Sequence, residues 1–170
     1  MKTLVSPDSV RGERLLHGGP PSDEECPAVI LDFDGVLAVE GPLGPEPRRL
    51  GLEILAEALS LGLKVYIVSG RREADRPVVE RLLAEAGAPA GRLAGVVLRS
   101  SRKTEVDHKL DSILRVEARE GCVAEMHDDN PYVLHSVRRH VKAGVLHHGE
   151  QCTVLYGVAL TSKCSPEGER

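Results

Sequence analysis

Four short polar clusters carry the residues of this chain that could do chemistry. Asp32 and Asp34 stand in DFDGVL, at the end of an apolar run from Ala28 to Leu37. Ser69, Gly70 and Arg71 follow LKVYIV, Lys109 lies in EVDHKL, and Asp128 with Asp129 stands in HDDNP. In extended chain, side chains alternate faces, so Asp32 and Asp34 project to one side while Phe33 turns away. Two carboxylates ~4 Å apart repel by roughly 4 kcal/mol at an effective dielectric of about 20, so a cation is expected between them. The whole set suits phosphoryl transfer through an acyl phosphate. A carboxylate attacks phosphorus, Mg²⁺ neutralises the crowded acids and phosphate oxygens, and a hydroxyl and an ammonium hold the remaining oxygens.

These groups need elements that bring them together. Ala28 to Leu37 reads as a buried strand whose Gly35 lets the backbone break away. Glu40 to Pro47 is turn-dense and lies near Asp34, where it can form a small flap. Arg48 to Leu61 reads as a helix with Leu52, Leu55 and Leu59 on one stripe, widened by Ile54, Ala58 and Leu61, and ended by Gly62. Leu63 to Val68 is a second strand. A helix capped by Asp75, with Pro77 in its first turn, buries Val78, Val79, Leu82 and Leu83 and stops at Gly87.

Gly95 to Leu98 is a short strand, Arg99 to Lys103 a basic turn, and from Glu105 a helix buries Val106, Leu110, Ile113 and Leu114. Cys122 to Met126 is a fourth strand, followed by a helix over Tyr132 to Val141, a short run at Val145-Leu146 and an edge strand within Thr153 to Leu160. Strands alternating with amphipathic helices predict an α/β fold, a doubly wound parallel sheet in three α/β/α layers. In such sheets ligands bind beyond the carboxyl ends of the strands, where all the acidic clusters fall. Residues 1–27 read as an irregular arm, 28–160 as the single domain and 161–170 as a tail.

The chain's 170 residues suffice for one core, and a net charge of −4 argues against a surface that embraces nucleic acid. Phe33, Tyr66, Tyr132 and Tyr156 are its complete aromatic set, which leaves little for stacking single-stranded bases. Neither a membrane-spanning stretch nor a signal peptide is visible, so a cytoplasmic protein is the expectation. Asn130 and Gln151 are the only side-chain amides. With arginine well above lysine, this suggests a thermophilic source, although a GC-rich genome gives the same bias. Cys26, Cys122, Cys152 and Cys164 show no CxxC spacing and read as idle thiols, with a Cys152 to Cys164 staple as the alternative. His147, His148 and Cys152 read as a solvated loop, there being no fourth metal ligand at suitable spacing.

In order and spacing, DFDGVL, VSGR, the Lys109 of EVDHKL and HDDNP resemble the four motifs of the haloacid dehalogenase superfamily of phosphohydrolases, over Ala28 to about Gly149. The resemblance implies Asp32 as nucleophile and Asp34 as general acid and base. It also implies Ser69 and Lys109 as phosphoryl ligands, and a Mg²⁺ site formed by Asp32, the backbone carbonyl of Asp34, and Asp128, with Asp129 as ligand or helper. Asp34 marks phosphatases, since dehalogenases lack an acid there. Lys103, in the preceding turn, is the alternative to Lys109. A response-regulator receiver fits less well, because its lysine follows the last acidic group in the chain.

Neither Leu37 to Arg48 nor Gly70 to Lys109 has room for a cap domain, so the resemblance is to capless members, whose open sites accept large substrates or are covered by a partner subunit. A homo-oligomer covering the site is thereby allowed. VSGR followed by SRKTEVDHK and a DD pair is similar to the phosphatase domain of polynucleotide kinase-phosphatase, which would give Gly70 and Arg71 a part in substrate binding. The expected activity is Mg²⁺-dependent phosphomonoester hydrolysis. A nucleic-acid 3′-end phosphatase and a non-catalytic regulatory or scaffold subunit are the alternatives.

Overall fold

β1 (Ala28–Leu31) is buried at every position, as a strand covered on both faces must be. It stops sooner than the apolar run suggests. Phe33 to Ala38 instead coils round one acceptor: the N–H groups of Val36, Leu37 and Ala38 all point to the Phe33 carbonyl, at 3.3, 2.8 and 3.0 Å. Phe33, Val36 and Leu37 are thus buried in a turn, not in a strand.

A computed structural model describes residues 26–100 and 102–166. The expected arm is outside the described residues as far as residue 25, as are Ser101 and the last four residues of the expected tail. After β1 come a hairpin, β2 (Ala38–Gly41) and β3 (Gly44–Pro47), then α1 (Arg49–Ser60), β4 (Lys64–Arg72), α2 (Arg76–Glu85), β5 (Gly95–Arg99) and α3 (Glu105–Glu120). β6 (Val123–Asp128), α4 (Pro131–Ser136), β7 (Ala143–His148), β8 (Gln151–Tyr156) and β9 (Ser165–Pro166) complete the elements of the described residues. The hairpin is the expected flap, paired in register from Ala38↔Pro47 to Gly41↔Gly44.

The main sheet has seven strands in the order β5-β4-β1-β6-β7-β8-β9. The first five are parallel, β8 runs antiparallel to β7, and β9 is parallel to β8. Alternate strand residues face opposite layers: Val29, Leu31, Val65 and Ile67 pack with Ile54, Leu55, Val79 and Leu83 of α1 and α2. Ala28, Ile30, Tyr66 and Val68 pack with Ile113 and Val116 of α3 and Val133 and Leu134 of α4. The chain steps outward from β1 with helices on one face, then returns past β1 with helices on the other, as right-handed crossovers require. This is the doubly wound three-layer α/β fold. The direction reverses between β1 and β6, and among the described residues no cap interrupts it.

Several local expectations change. Asp75 does not cap α2 with its side chain and lies in a 3₁₀ turn before it. Leu61, Val78 and Leu114 are exposed. α3 buries His108, Lys109, Ser112, Ile113 and Val116, because its inner face lies over polar strand ends as well as apolar ones. α4 has six residues only. Residues 161–166 pack on the body: Thr161 is buried and its hydroxyl donates to Glu125 Oε2 at 2.6 Å.

The cysteines are paired, Cys26 with Cys122 and Cys152 with Cys164, which corrects the idle-thiol reading. β1 and β6 are neighbours, so the residues that precede them meet at the same sheet edge. The second bond ties the start of β8 to the segment that leads into β9. No helix among the described residues is long and apolar enough to cross a membrane.

Candidate active site

At the reversal point, the carboxyl end of β1 delivers Asp32 and that of β6 delivers Asp128, and both are buried. Asp32 Oδ1 accepts from the Phe33 N–H at 2.8 Å, and the Asp32 N–H donates to the His127 carbonyl at 3.0 Å, extending the sheet ladder to Asp32. Asp128 Oδ1 accepts from the Asn130 N–H at 2.8 Å. Lys109 enters from α3, fully buried, with Nζ 2.7 Å from Asp128 Oδ2, 3.0 Å from Asp32 Oδ2 and 3.7 Å from Glu105 Oε2. Lys103, the alternative lysine, is bonded instead to Asp111 at 2.7 Å on the surface.

One carboxylate oxygen from each of Asp32, Asp128 and Asp129 lies within 4.8 Å of the others. Gly35 makes this approach possible, with φ +83°. A Cβ there would sit 2.2 Å from Asp129 Oδ2. Burial, and then the Asp128 charge, raise the Asp32 carboxyl well above the usual range even though Lys109 opposes them. Burial raises Asp128 to about 6, again against Lys109. Lys109 is itself raised: burial works against its charge, but Asp32 and Asp128 outweigh it. One ammonium therefore leaves the buried carboxylates under-neutralised, and a hard divalent cation with oxygen ligands fits this donor set.

Asp34 is not one of that trio. Its two oxygens accept from Arg71 Nε and Nη2 at 2.8 and 2.9 Å, a two-pronged pair. Arg71 also lies 3.6 Å from Glu40 on the flap and stacks over Phe33 at 5.5 Å. Ser69 is buried, its Oγ accepting from the Arg71 N–H at 3.0 Å. His108 Nε2 bonds the Ser69 carbonyl at 2.9 Å, fixing this end of β4 to α3. Asp32, Asp34, Gly70, Arg71, Glu105 and Asp129 line an open cavity of about 720 Å³, together with Asn130, Pro131 and Tyr132.

Sequence reasoning passed over Glu105, one helical turn before Lys109, although i,i+4 spacing is a usable signal. It also passed over a buried polar chain behind the acids. Arg48, read as a helix start, donates from Nη1 to His147 Nδ1 at 2.8 Å and to the Val36 carbonyl at 2.9 Å, and from Nη2 to the carbonyls of Gly149 and Gln151 at 3.0 and 3.2 Å. Arginine only donates, so His147 Nδ1 accepts and its Nε2–H donates to His127 Nδ1 at 2.8 Å. His127 Nε2–H then donates to Glu125 at 2.6 Å. His147 is thus buried in this chain, not solvated in a loop. His127, His147 and Cys164 are close enough to hold a metal, but Cys164 is in a disulfide.

No family model matches the sequence, and no curated protein matches it. Among solved structures, the chain is similar to a chain of the Pnkp1/Rnl/Hen1 RNA repair complex, at TM-score 0.58 and 24% identity over 70% of this chain and 41% of that one. It is similar also to the cobalt-bound deoxy-D-mannose-octulosonate 8-phosphate phosphatase YrbI from Haemophilus influenzae, at TM-score 0.51 and 18% identity over 72% of this chain and 68% of that one. The chain has the haloacid dehalogenase fold. It spans less than half the length of the RNA-repair chain. Within a haloacid dehalogenase fold, the reversal between β1 and β6 is the place where Asp32, Lys109, Asp128 and Asp129 are gathered here.

Proposed function

We propose that the chain is a Mg²⁺-dependent phosphomonoester hydrolase that works through a phosphorylated Asp32. The observation that carries this reading is the convergence of the Asp32, Asp128 and Asp129 carboxylates within 4.8 Å, with Lys109 against two of them. These three carboxylates, with the backbone carbonyl of Asp34, would hold the ion, which when bound offsets negative charge on the acids and on the phosphoryl oxygens.

An Asp32 oxygen attacks phosphorus, the ester P–O bond breaks, and the leaving alkoxide takes a proton from the Asp34 carboxyl. Water then attacks phosphorus, Asp34 takes the water's proton, and the bond from phosphorus to Asp32 breaks to release phosphate. Ser69 and Lys109 hold the phosphoryl oxygens. Arg71 keeps Asp34 aside until substrate phosphate draws the guanidinium over. The open cavity suits a homo-oligomer that covers it, and Leu43 at the tip of the flap, fully exposed, suits the same reading.

A nucleic-acid 3′-end phosphatase is the second reading, favoured by the likeness to a chain of an RNA repair complex. A panel of phosphate esters tests both. Mg²⁺-dependent turnover, lost in a folded Asp32→Asn variant, supports the first. A preference for 3′-phosphorylated oligonucleotides over sugar phosphates selects the second. Mg²⁺ binding without turnover of any ester points to a non-catalytic subunit.

A further inference from the structure

The chain has four aromatic residues of the Phe, Tyr and Trp type. Phe33, Tyr66 and Tyr156 are buried in the cores, as the hydrophobic effect demands. Tyr132 is 78% exposed, and it stands on the wall of the catalytic cavity. Apart from Tyr132 and Pro131, that lining consists of Gly70, carboxylates, Arg71 and Asn130. Pro131 and Tyr132 therefore form the apolar side of an otherwise charged opening.

The tyrosine is also built into the site. Its N–H donates to Asn130 Oδ1 at 2.9 Å, while the Asn130 N–H donates to Asp128 Oδ1 at 2.8 Å and Asn130 Nδ2 to Glu105 Oε1 at 3.3 Å. The backbone that carries the ring is thereby registered against Asp128, and through Asp128 against Lys109. A cavity of about 720 Å³ exceeds what a phosphoryl group alone fills, and falls within the ~300–1,000 Å³ range of sites for small organic ligands.

We infer that Tyr132 is a specificity residue that stacks on a planar aromatic ring of the leaving group, so that the substrates are phosphate esters carrying a nucleobase-like ring. The inference rests on the phosphatase reading above and names the substrate class of that site. A ring-free ester offers nothing to the Tyr132 face. A nucleoside phosphate presents a flat apolar face a few bonds from its phosphorus, and this chemistry is shared by free nucleotides and by oligonucleotide ends.

The test compares kcat/KM for a nucleoside 5′-monophosphate with that for glycerol 3-phosphate, two primary alkyl esters of similar intrinsic reactivity, in wild type, Tyr132→Ala and Tyr132→Phe. The ratio is expected to favour the nucleotide in wild type and to fall roughly 5- to 150-fold in Tyr132→Ala, the range that stacking one base on an aromatic side chain spans. Tyr132→Phe, which keeps the ring, is expected to retain the ratio, mainly through KM. A 5′-phosphorylated oligonucleotide in parallel separates the sources: preference over the mononucleotide assigns the ring to a polymer end, and the reverse to a free nucleotide. Turnover of both esters with no ring preference in wild type, or a ratio unchanged by Tyr132→Ala, overturns this inference alone. No turnover of either ester overturns this inference, and only the further absence of Mg²⁺-dependent turnover of an aryl phosphate and of 3′-phosphorylated oligonucleotides overturns the phosphatase reading with it.

Discussion

Gly35 shows how much of the site rests on one missing side chain. Its positive φ disfavours any L residue with a Cβ, and the Cβ position itself is occupied by the Asp129 carboxylate. Gly35→Ala must shift either the turn after Asp32 or Asp129, so the three carboxylates can no longer share one ion. The expected result is a weaker apparent Mg²⁺ affinity by calorimetry, tenfold or more if about 1.4 kcal/mol of ligand energy is lost, with the core intact by circular dichroism. Unchanged Mg²⁺ affinity would remove Asp129 from the ligand set. The string DFDG made Asp32, Asp34 and the need for glycine legible. That Asp129, ninety-four positions after Gly35, is what the glycine makes room for was not, because only the sheet order brings them together.

At the scale of elements, the Arg48–His147–His127–Glu125 chain joins the start of α1 to β7 and β6 and, through Thr161, to the segment before β9. Burial, with the neighbouring His127 and Arg48, pushes His147 down to about 2. Burial works to raise the Glu125 carboxyl, but donors from His127, Thr161 and Leu160 outweigh it and hold it below the usual range. His147 therefore takes up no second ring proton when folded but takes one near pH 6.5 when unfolded. Its contribution is fully present above about pH 6.5 and is lost as pH falls, by up to about 1.4 kcal/mol per pH unit.

Urea unfolding of wild type against His147→Gln between pH 4 and 7 reads this directly. The variant's stability is expected to fall less steeply with acidity, and parallel slopes would contradict the assignment. Beyond a strand-end hydrogen bond for His127, this network was not visible in sequence. Arg48 and His147 are ninety-nine residues apart, and a charged residue at the head of a helix ordinarily looks solvated. The inner face of α3 was legible only in part for a related reason: Ile113 is buried and Val106 and Leu110 pack against the core, but Leu114 is exposed. Apolarity was used to choose its inner face, whereas that face turns His108, Lys109 and Ser112 toward the strand ends.

For the whole molecule, the alternation of apolar runs and amphipathic helices was enough to predict a doubly wound sheet, and the four motifs marked its carboxyl edge. Cys152 with Cys164 was legible as an alternative, but the Cys26–Cys122 disulfide was not, because it depends on β1 lying beside β6, which no spacing rule encodes. Such bonds persist in oxidising compartments and in the cytosol of hyperthermophiles, so two of them agree with a cytoplasmic protein only if its source is heat-adapted. Thiol titration of the denatured, unreduced protein is expected to find no free cysteine. Cys26→Ala should destabilise more than Cys164→Ala, since the chain-entropy relation gives about 4–5 kcal/mol for the longer loop and about 3 for the shorter. The separations are 96 and 12 residues. Four titratable thiols would contradict both pairings.

In the proposed mechanism the Asp32 carboxylate, at the carboxyl end of β1, carries the phosphoryl group between ester and water. Reductive trapping tests it most directly: the protein is quenched with borohydride during turnover of an aryl phosphate in Mg²⁺, digested, and sequenced by mass spectrometry. An acyl phosphate at Asp32 is reduced to homoserine, so a homoserine at position 32, dependent on both substrate and Mg²⁺, is the expected result. Sustained turnover with Asp32 unmodified, or with the modification at Asp34, Asp128 or Asp129 instead, would rule out Asp32 as the nucleophile.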